Sequence, residues 1–124
     1  MELFDVTFQS LDLALGAASK RQEVLANNLA NVNTPGYKRL DVEFDGILAQ
    51  AVDAARTGDR SRLDALRPQV TQDDAVAVRA DGNSVDVDQE MAFLAENNIR
   101  YNALVQLSQK KLETLKYVIS DGRR

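Results

Sequence analysis

The sequence predicts an all-α protein whose two long terminal amphipathic helices form an antiparallel coiled-coil hairpin. Two observations predict this fold. At both ends of the chain, apolar residues recur in alternating steps of four and three, which is the heptad pattern of a helix that faces one partner helix. The region between them is polar and lacks that pattern, so a short helix and a mostly irregular, mobile middle segment are expected there.

The first helix is predicted over residues 1–34. Its apolar row runs from Phe4 to Val32 with Gln22 as the polar member. Proline disfavours helical geometry in the residue before it, and Pro-Gly suits the centre of a type II turn. The helix is therefore predicted to stop at a turn formed by Thr34, Pro35, Gly36 and Tyr37.

Residues 35–85 form the predicted middle segment. An apolar stripe predicts a short helix near residues 42–57, ending before Gly58. Residues 56–74 are polar and nearly charge-balanced, which is typical of a mobile connector. The sequence AVAVR, residues 75–79, alternates like a short strand but has no evident partner strand.

The second helix is predicted over residues 86–124. It begins where Asp86 and Gln89 have the spacing of a capping box. Its seam keeps the same four-three alternation, with Asn98 and Ser108 as polar members. The two terminal helices are predicted to form one structural domain.

Further apolar residues lie outside both seams, and two helices cannot cover all of them. Apolar side chains on several helix faces predict contacts with other copies or relatives of the same hairpin. The predicted seam and subunit-interface residues are Phe8, Leu11, Leu15, Leu25, Asn27, Asn28, Leu29, Asn31, Val32, Met91, Leu94, Asn98, Tyr101, Val105, Leu112, Leu115 and Ile119.

Four asparagines, Asn27, Asn28, Asn31 and Asn33, stand at the end of the first helix. Asparagine is a poor helix-interior residue because its amide competes with the backbone hydrogen bonds. The heptad assignment predicts Asn27 and Asn31 on the outer side and Asn28 on the flank of the seam. Two interpretations are open: the amides bond carbonyls at the helix end, or they offer donors and acceptors to a neighbouring subunit.

Composition excludes several classes of function. The chain has no His and no Cys, so it lacks the usual general base, the thiolate nucleophile and nearly all transition-metal ligands. We therefore expect no enzyme activity, metal or cofactor. The net charge of −4 argues against nucleic acid as a partner. The first residues lack the basic start of a cleavable signal, and no run is apolar enough to span a membrane, which by itself indicates a cytoplasmic protein.

The sequence LANNLANVNTPGYKR, from Leu25 to Arg39, closely resembles the signature of the bacterial flagellar rod, hook and hook-associated axial proteins. Their amino-terminal helix ends in the pattern A-N-N-[LI]-A-N-x-x-T-[PT]-G-[YF]-[KR], and residues 26–38 fit it throughout. The short chain and its carboxyl-terminal sequence are most similar to the small proximal rod proteins of the B type. The C type remains the alternative within the family, although IRYNALVQ at residues 99–106 departs from its usual pattern.

The resemblance implies a structural subunit of the proximal rod in the flagellar basal body, which polymerises through its terminal helices to build the torque-transmitting drive shaft. Family members are exported into the periplasm through the flagellar type III apparatus without a cleaved signal. The implied partners are other copies of the chain, other rod proteins, the export apparatus and membrane-embedded basal-body components, with no nucleic acid and no membrane span. A cytoplasmic coiled-coil adaptor or an export chaperone is the alternative from another class, and localisation would separate the two.

Overall fold

A computed structural model describes the backbone of residues 2–122 and the side chains of residues 6–122. Phe4, the first predicted seam residue, therefore has its side chain outside the described residues. The elements in chain order are α1 (Glu2–Ala30), β1 (Leu40–Val42), α2 (Phe44–Thr57), α3 (Arg60–Ala65), β2 (Val70–Gln72) and α4 (Val87–Asp121). The protein is mostly helical, as predicted, but a small sheet makes the all-α prediction incomplete.

The two long helices α1 and α4 pack against each other in opposite directions. Near the end of α1, the Asn28 amide lies 3.3 Å from the carboxylate of Glu90 at the start of α4. Further back along α1, the carbonyl of Ala18 accepts a hydrogen bond of 2.8 Å from Asn97. Rising residue numbers on α4 therefore meet falling numbers on α1.

The face of α4 that meets α1 coincides only in part with the predicted seam. The buried residues of α4 are Glu90, Asn97 and Leu104, which lie one position before the predicted Met91, Asn98 and Val105. Two of these three inward positions are polar: Glu90 accepts hydrogen bonds from Arg39 and Asn28, and Asn97 donates to Ala18 and Gln22. The predicted seam residues that are exposed on α4 are Met91, Asn98, Tyr101, Leu112 and Ile119; Leu94, Val105 and Leu115 are half-buried.

Helix α1 packs against both α4 and α2. It therefore buries a wider part of its circumference than contact with a single partner helix would require. Leu25 is fully buried, while the other predicted seam residues with described side chains on α1 and just after it are half-buried: Phe8, Leu11, Leu15, Leu29 and Val32. Three small residues form the centre of the helix contacts and let the backbones approach closely; they are Ala14, Ala17 and Ala18, each at most 2% exposed.

The predicted short helix is confirmed as α2, which ends before Gly58 as expected. One side of α2 packs on α1 through Phe44 and Ile47. Its other end joins a second cluster, in which Ala51 and Ala54 pack with Leu63 of α3. The middle segment is thus fastened along the length of α1.

Strands β1 and β2 pair antiparallel, with Leu40 opposite Gln72 and Val42 opposite Val70. The prediction of an irregular connector over residues 56–74 was wrong, because this stretch contains α3 and β2. All three residues of β2 are exposed, so burial imposes no apolar alternation that a sequence pattern could reveal. Residues 75–79, the strand-like sequence, form turn and irregular structure instead.

The ends of the long helices were predicted with unequal success. Helix α1 ends at Ala30, before the predicted limit of residue 34. Helix α4 begins as predicted, because the Asp86 side chain accepts hydrogen bonds from the backbone of Asp88 at 3.0 Å and of Gln89 at 3.3 Å. Across residues 2–122, no helix has the length and apolar character needed to cross a membrane.

Candidate functional site

The guanidinium of Arg39 lies at the centre of a buried polar cluster. Arg39 is 1% exposed. Its Nε donates to Glu90 Oε1 at 2.5 Å, and its two terminal nitrogens donate to Asp73 at 2.6 Å and to Asp41 at 3.2 Å. Such pairing is what makes a buried charge tolerable. We name this cluster the polar junction; its members are Arg21, Asn28, Tyr37, Arg39, Asp41, Asp73, Glu90 and Phe93.

A second arginine extends the junction along α1. The Nε of Arg21 donates to Asp41 Oδ1 at 2.9 Å. The ring of Phe93 lies against both cations, with its centroid 5.0 Å from the Arg39 guanidinium carbon and 5.5 Å from that of Arg21. An aromatic face attracts a cation at this range, so α4 contributes both a carboxylate and a ring to Arg21 of α1 and to Arg39, which precedes β1.

The ionisation of the junction follows from these contacts. Burial alone would raise the pKa of Asp41, but hydrogen bonds from Arg21 and the Val42 backbone, together with the two arginine charges, hold it below its usual value. Burial likewise acts to lower the pKa of Arg39, and its carboxylate partners, led by Glu90, outweigh that and raise it. The pKa of Tyr37 is raised by burial and by the nearby Glu90 carboxylate. Arg39 and Asp41 are therefore charged, and the Tyr37 phenol neutral, at pH 7.

Asn28 connects α1 to β1 and to α4. Its amide nitrogen donates to the Leu40 carbonyl at 2.7 Å and to Glu90 at 3.3 Å. Its oxygen accepts from the Leu40 backbone at 3.0 Å and from the Tyr37 hydroxyl at 3.2 Å. Asn28 is fully buried, and these partners place it beside the contact between α1 and α4. An amide is suited to this place because it satisfies a backbone donor and acceptor together.

The next asparagine, Asn31, closes the helix end. Its amide donates to the Asn27 carbonyl at 2.8 Å, and its oxygen accepts from the Thr34 hydroxyl at 3.1 Å. These contacts match the helix-end interpretation. Asn27 is exposed, and its contact with a neighbouring subunit remains a prediction.

Asn83, which the sequence analysis did not single out, completes the end of α1 from the other side. Its amide nitrogen lies 2.9 Å from the Asn31 carbonyl and 2.8 Å from that of Thr34. Its oxygen accepts from the Val85 backbone at 2.7 Å. The carbonyls left open at a helix end need such donors. Asn83 stands in the sequence DGNS, residues 81–84, which is typical of a turn and does not indicate the distant partner.

Two glycine turns pack back to back beside the junction. The predicted type II turn is confirmed, with the Tyr37 amide donating to Thr34 at 3.2 Å and Gly36 at φ 75°. Gly82 has φ 84°, and a Cβ there would lie 3.2 Å from the Gly36 Cα. The Gly36 amide donates to the Asp81 carbonyl at 2.9 Å. The Thr-Pro-Gly stop is therefore held by the turn that precedes α4.

The later part of α4 has the opposite character. Beyond the buried Leu104, large apolar side chains stand in solvent, each more than half exposed. We name them the apolar band; they are Leu107, Leu112, Tyr117, Val118 and Ile119. Exposed apolar groups of this density mark surfaces that bind other proteins.

Comparison with known proteins identifies the family. A family model described as flagella basal body rod protein matches residues 11–38, a range that contains Arg21, Asn28 and Tyr37. The chain is also 39% identical over 130 residues to the flagellar basal body rod protein FlgB of Bacillus subtilis (strain 168), an alignment that covers 99% of this chain and all of the relative. The chain belongs to the FlgB family of flagellar basal body rod proteins.

Other FlgB proteins match at the same full length. The chain is 29% identical to FlgB of Proteus mirabilis (strain HI4320) over 136 residues and 28% identical to FlgB of Escherichia coli (strain K12) over 138 residues. Each alignment covers 98% of this chain and 99% of the relative. The resemblance to the B type is thus confirmed.

Within the FlgB family, the relatives carry the name of a structural part of the flagellum and not of a catalyst. The polar junction fits that description, because its charged groups bind one another and the backbone. Across residues 6–122, no group of three or more acidic, His or Cys side chains is placed to hold a metal ion. The junction holds α1, β1 and the start of α4 in one fixed arrangement.

Proposed function

We propose that this chain is a structural subunit of the proximal rod of the flagellar basal body and that it polymerises through α1 and α4 into a torque-transmitting shaft. The observation that supports this most is the apolar band of α4. Membership of the FlgB family supports the rod as the assembly to which the chain belongs. The apolar band is a surface through which one subunit can bind its neighbours in that rod.

The apolar band is unfavourable in a monomer and favourable in an assembly. Each buried Å² of apolar surface stabilises by about 25 cal/mol. Leu112, Tyr117 and Ile119 are 56%, 68% and 51% exposed, so each has at least half of its side chain still to bury. A neighbour's α1 or α4 that covers them completes a coiled-coil bundle in the rod, with the exposed seam residues of α4 as its inner layer. Residues 1–34 and 86–124 then act as one structural unit.

The polar junction gives the subunit its stiffness. A shaft transmits torque only if each subunit keeps its two long helices at a fixed angle and register. Arg39 and Asn28 fasten the end of α1 and β1 to Glu90 of α4 through hydrogen bonds, which are directional and permit few alternative arrangements.

The resemblance to axial proteins supports the remaining parts of the proposal. The subunit leaves the cytoplasm through the flagellar type III export apparatus without a cleaved signal, and it is built into the rod in the periplasm. Its partners are further copies of the chain, other rod proteins and membrane-embedded components of the basal body.

The test is complementation of a bacterial strain that lacks its own FlgB. Leu112→Asp combined with Ile119→Asp should abolish swimming and remove the subunit from purified basal bodies, because charged groups in the contact would stay unpaired. Glu113→Gln, an exposed change on the same stretch of helix, is the control and should swim normally. Normal swimming of the double variant would refute assembly through the apolar band.

A further inference from the structure

The small sheet is closed on one edge and open on the other. The edge of β1 that faces away from β2 is closed by Asn28, whose side chain binds the Leu40 amide at 3.0 Å and the Leu40 carbonyl at 2.7 Å. An amide placed in this way satisfies the groups that a further strand would bind. The edge of β2 that faces away from β1 has no such cover among residues 6–122.

The hydrogen-bond pattern identifies the groups on this open edge. The Asp73 amide donates to the Arg39 carbonyl at 3.0 Å, and in an antiparallel pair every second residue is bonded across to its partner strand. Thr71, two residues before Asp73, is therefore bonded to β1. The N–H and C=O groups of Val70 and Gln72 point away from β1, and all of β2 is exposed. Unpaired groups along such an edge can bind a further strand.

Residues 76–78 have the sequence of a strand but lie outside the sheet. They alternate valine and alanine, with valine at positions 76 and 78, and an alternation of β-branched residues is typical of strands. In the described part of the chain, Ala77 and Val78 make no backbone hydrogen bond. Val78 is 54% exposed, and both residues line an open groove of about 300 Å³. We name residues 76–78 the strand-like arm.

Both ends of the strand-like arm are held in place. Before it, the Ala75 amide donates to the Asp73 carboxylate at 3.0 Å. After it, the Arg79 amide donates to the Asn83 carbonyl at 2.8 Å, and the Arg79 guanidinium donates to the Val32 carbonyl. A segment that is fixed at both ends loses less conformational entropy when it binds.

We propose that the strand-like arm of one copy adds antiparallel to the open edge of β2 in a second copy. The two segments match, since each has three residues and neither has a charged side chain. Main-chain hydrogen bonds supply the affinity when a strand is added to a sheet edge, and the exposed Val70 and Val78 add apolar contact. This inference goes beyond the proposed function, because it assigns a contact to the middle segment and not to the apolar band.

Within one copy, the strand-like arm is directed away from its own β2. Residues 73–75 connect the two segments, and the Asp73 carboxylate fixes this connection. One of its oxygens accepts from the Ala75 amide, and the other accepts from the buried Arg39 at 2.6 Å. The sheet of the described residues has two strands and does not include the arm. The open edge is therefore left for the arm of another copy.

The charges beside the two segments do not select this pairing. Asp74 follows β2 and accepts a hydrogen bond from the Gln72 side chain at 2.7 Å. Arg79 follows the arm and is bonded to Val32 and, at 3.4 Å, to Asp81. Because both charged groups already have partners, the contact rests on backbone and apolar groups, and its strength should depend little on salt.

Disulfide trapping tests the pairing, because the chain has no cysteine of its own. With Val70 opposite Val78, Thr71 of one copy faces Ala77 of the other as a non-hydrogen-bonded pair, whose Cα atoms lie about 4.5 Å apart, within the span of a disulfide. When full-length Thr71→Cys and Ala77→Cys proteins are mixed under mild oxidation, the mixed disulfide should form roughly tenfold faster than either symmetric disulfide. Ser61→Cys, at an exposed position of α3, replaces Ala77→Cys in the control and should show no such preference. Equal or faster formation of the symmetric disulfides would overturn the proposal.

A backbone change gives a second measurement. Gln72→Pro removes an N–H group of the open edge and leaves the bonds to β1 in place, whereas Gln72→Ala removes the side chain alone. Both changes are made in the chain that carries Leu112→Asp and Ile119→Asp, so that the apolar band does not contribute. In sedimentation experiments at high protein concentration, Gln72→Pro should weaken self-association roughly fivefold, as expected for the loss of one hydrogen bond, and Gln72→Ala should not.

Circular dichroism verifies that both variants are folded. Equal association of the folded Gln72→Pro and Gln72→Ala chains, or no association of their parent chain, would overturn the proposal. If Gln72→Pro does not fold, the disulfide result decides. Neither measurement involves the rod, so the swimming test of the apolar band remains a separate test of the proposed function.

Discussion

The two ends of α4 differ in a way that reverses the usual distribution of residues. The first part buries charged and amide side chains, Glu90 and Asn97, and exposes Met91. The last part exposes Leu112, Tyr117 and other apolar residues. The first part makes the contacts that fold the chain on itself. The last part has exposed apolar side chains whose burial against a partner would be favourable. Buried polar residues thus mark the part of α4 that holds the fold, and exposed apolar residues mark the part that is suited to contact a partner.

The difference predicts opposite responses to mutation. Changes at the polar junction should lower the stability of the subunit itself. Changes in the apolar band should leave the subunit stable and act on assembly. Urea unfolding of the isolated chain, followed by circular dichroism, measures the first effect, and recovery of the subunit in basal bodies measures the second.

The largest expected loss of stability follows from Glu90→Ala. This change leaves Arg39 buried with its strongest partner removed, and breaking a buried pair on one side costs about 3–5 kcal/mol. The control is Glu96→Ala, which removes an exposed ion pair with Arg100 and should cost less than about 1 kcal/mol. Equal effects of the two variants would mean that the Arg39–Glu90 pair does not hold the fold.

Asn28→Ala should have the next largest effect. It leaves the backbone donor and acceptor of Leu40 without this partner, at about 1–3 kcal/mol for each unsatisfied buried group. The matched control is the neighbouring, exposed Asn27→Ala, which should be neutral or slightly stabilising because alanine favours helix. If Asn27→Ala is the more harmful of the two to stability, the assignment of Asn28 to the junction is incorrect.

Acid should loosen the junction through Asp41. Its pKa is lowered in the folded protein, so its ion pairs stabilise the fold fully above the unfolded value of about 4 and lose that contribution as pH falls through the lower folded value. The free energy of unfolding should therefore decrease below about pH 4. Asp41→Asn is the control: it should be less stable at neutral pH and lose less on acidification. A wild-type chain and an Asp41→Asn chain with parallel pH profiles would contradict this.

The smallest effect on the subunit is expected in the apolar band. Leu112→Ser removes an exposed side chain and should change stability by no more than about 0.5 kcal/mol, while reducing recovery in basal bodies. Leu104→Ser, on the buried face of the same helix, should lower stability by about 2–4 kcal/mol instead. Similar stability losses for both would show that Leu112 is packed within the monomer.

Local signals predicted several parts of the fold and little of the junction. Pro35 and Gly36 gave the turn, Asp86 gave the start of α4, and the apolar stripe gave α2, since each depends on neighbours in sequence. The sequence predicted no contact for Arg39, which stood out only as the last residue of the family signature. Nothing near it in sequence reveals that Asp73 and Glu90 come within hydrogen-bond distance, because those contacts are made only after the chain has folded.

The sequence by itself determined the two long helices, the turn between α1 and β1, and the FlgB family. Helical periodicity, turn chemistry and an ordered motif are properties of short stretches of chain. Only the tertiary structure decided the rotation of α4, the pairing of β1 with β2, and the inward position of Asn28. The heptad count treated apolar residues as the inner face, whereas the folded chain buries Glu90 against Arg39 and the Asn97 amide nitrogen against Ala18 and Gln22. Glu90 and Asn97 therefore face α1, and the apolar residues left outside are free to contact another subunit.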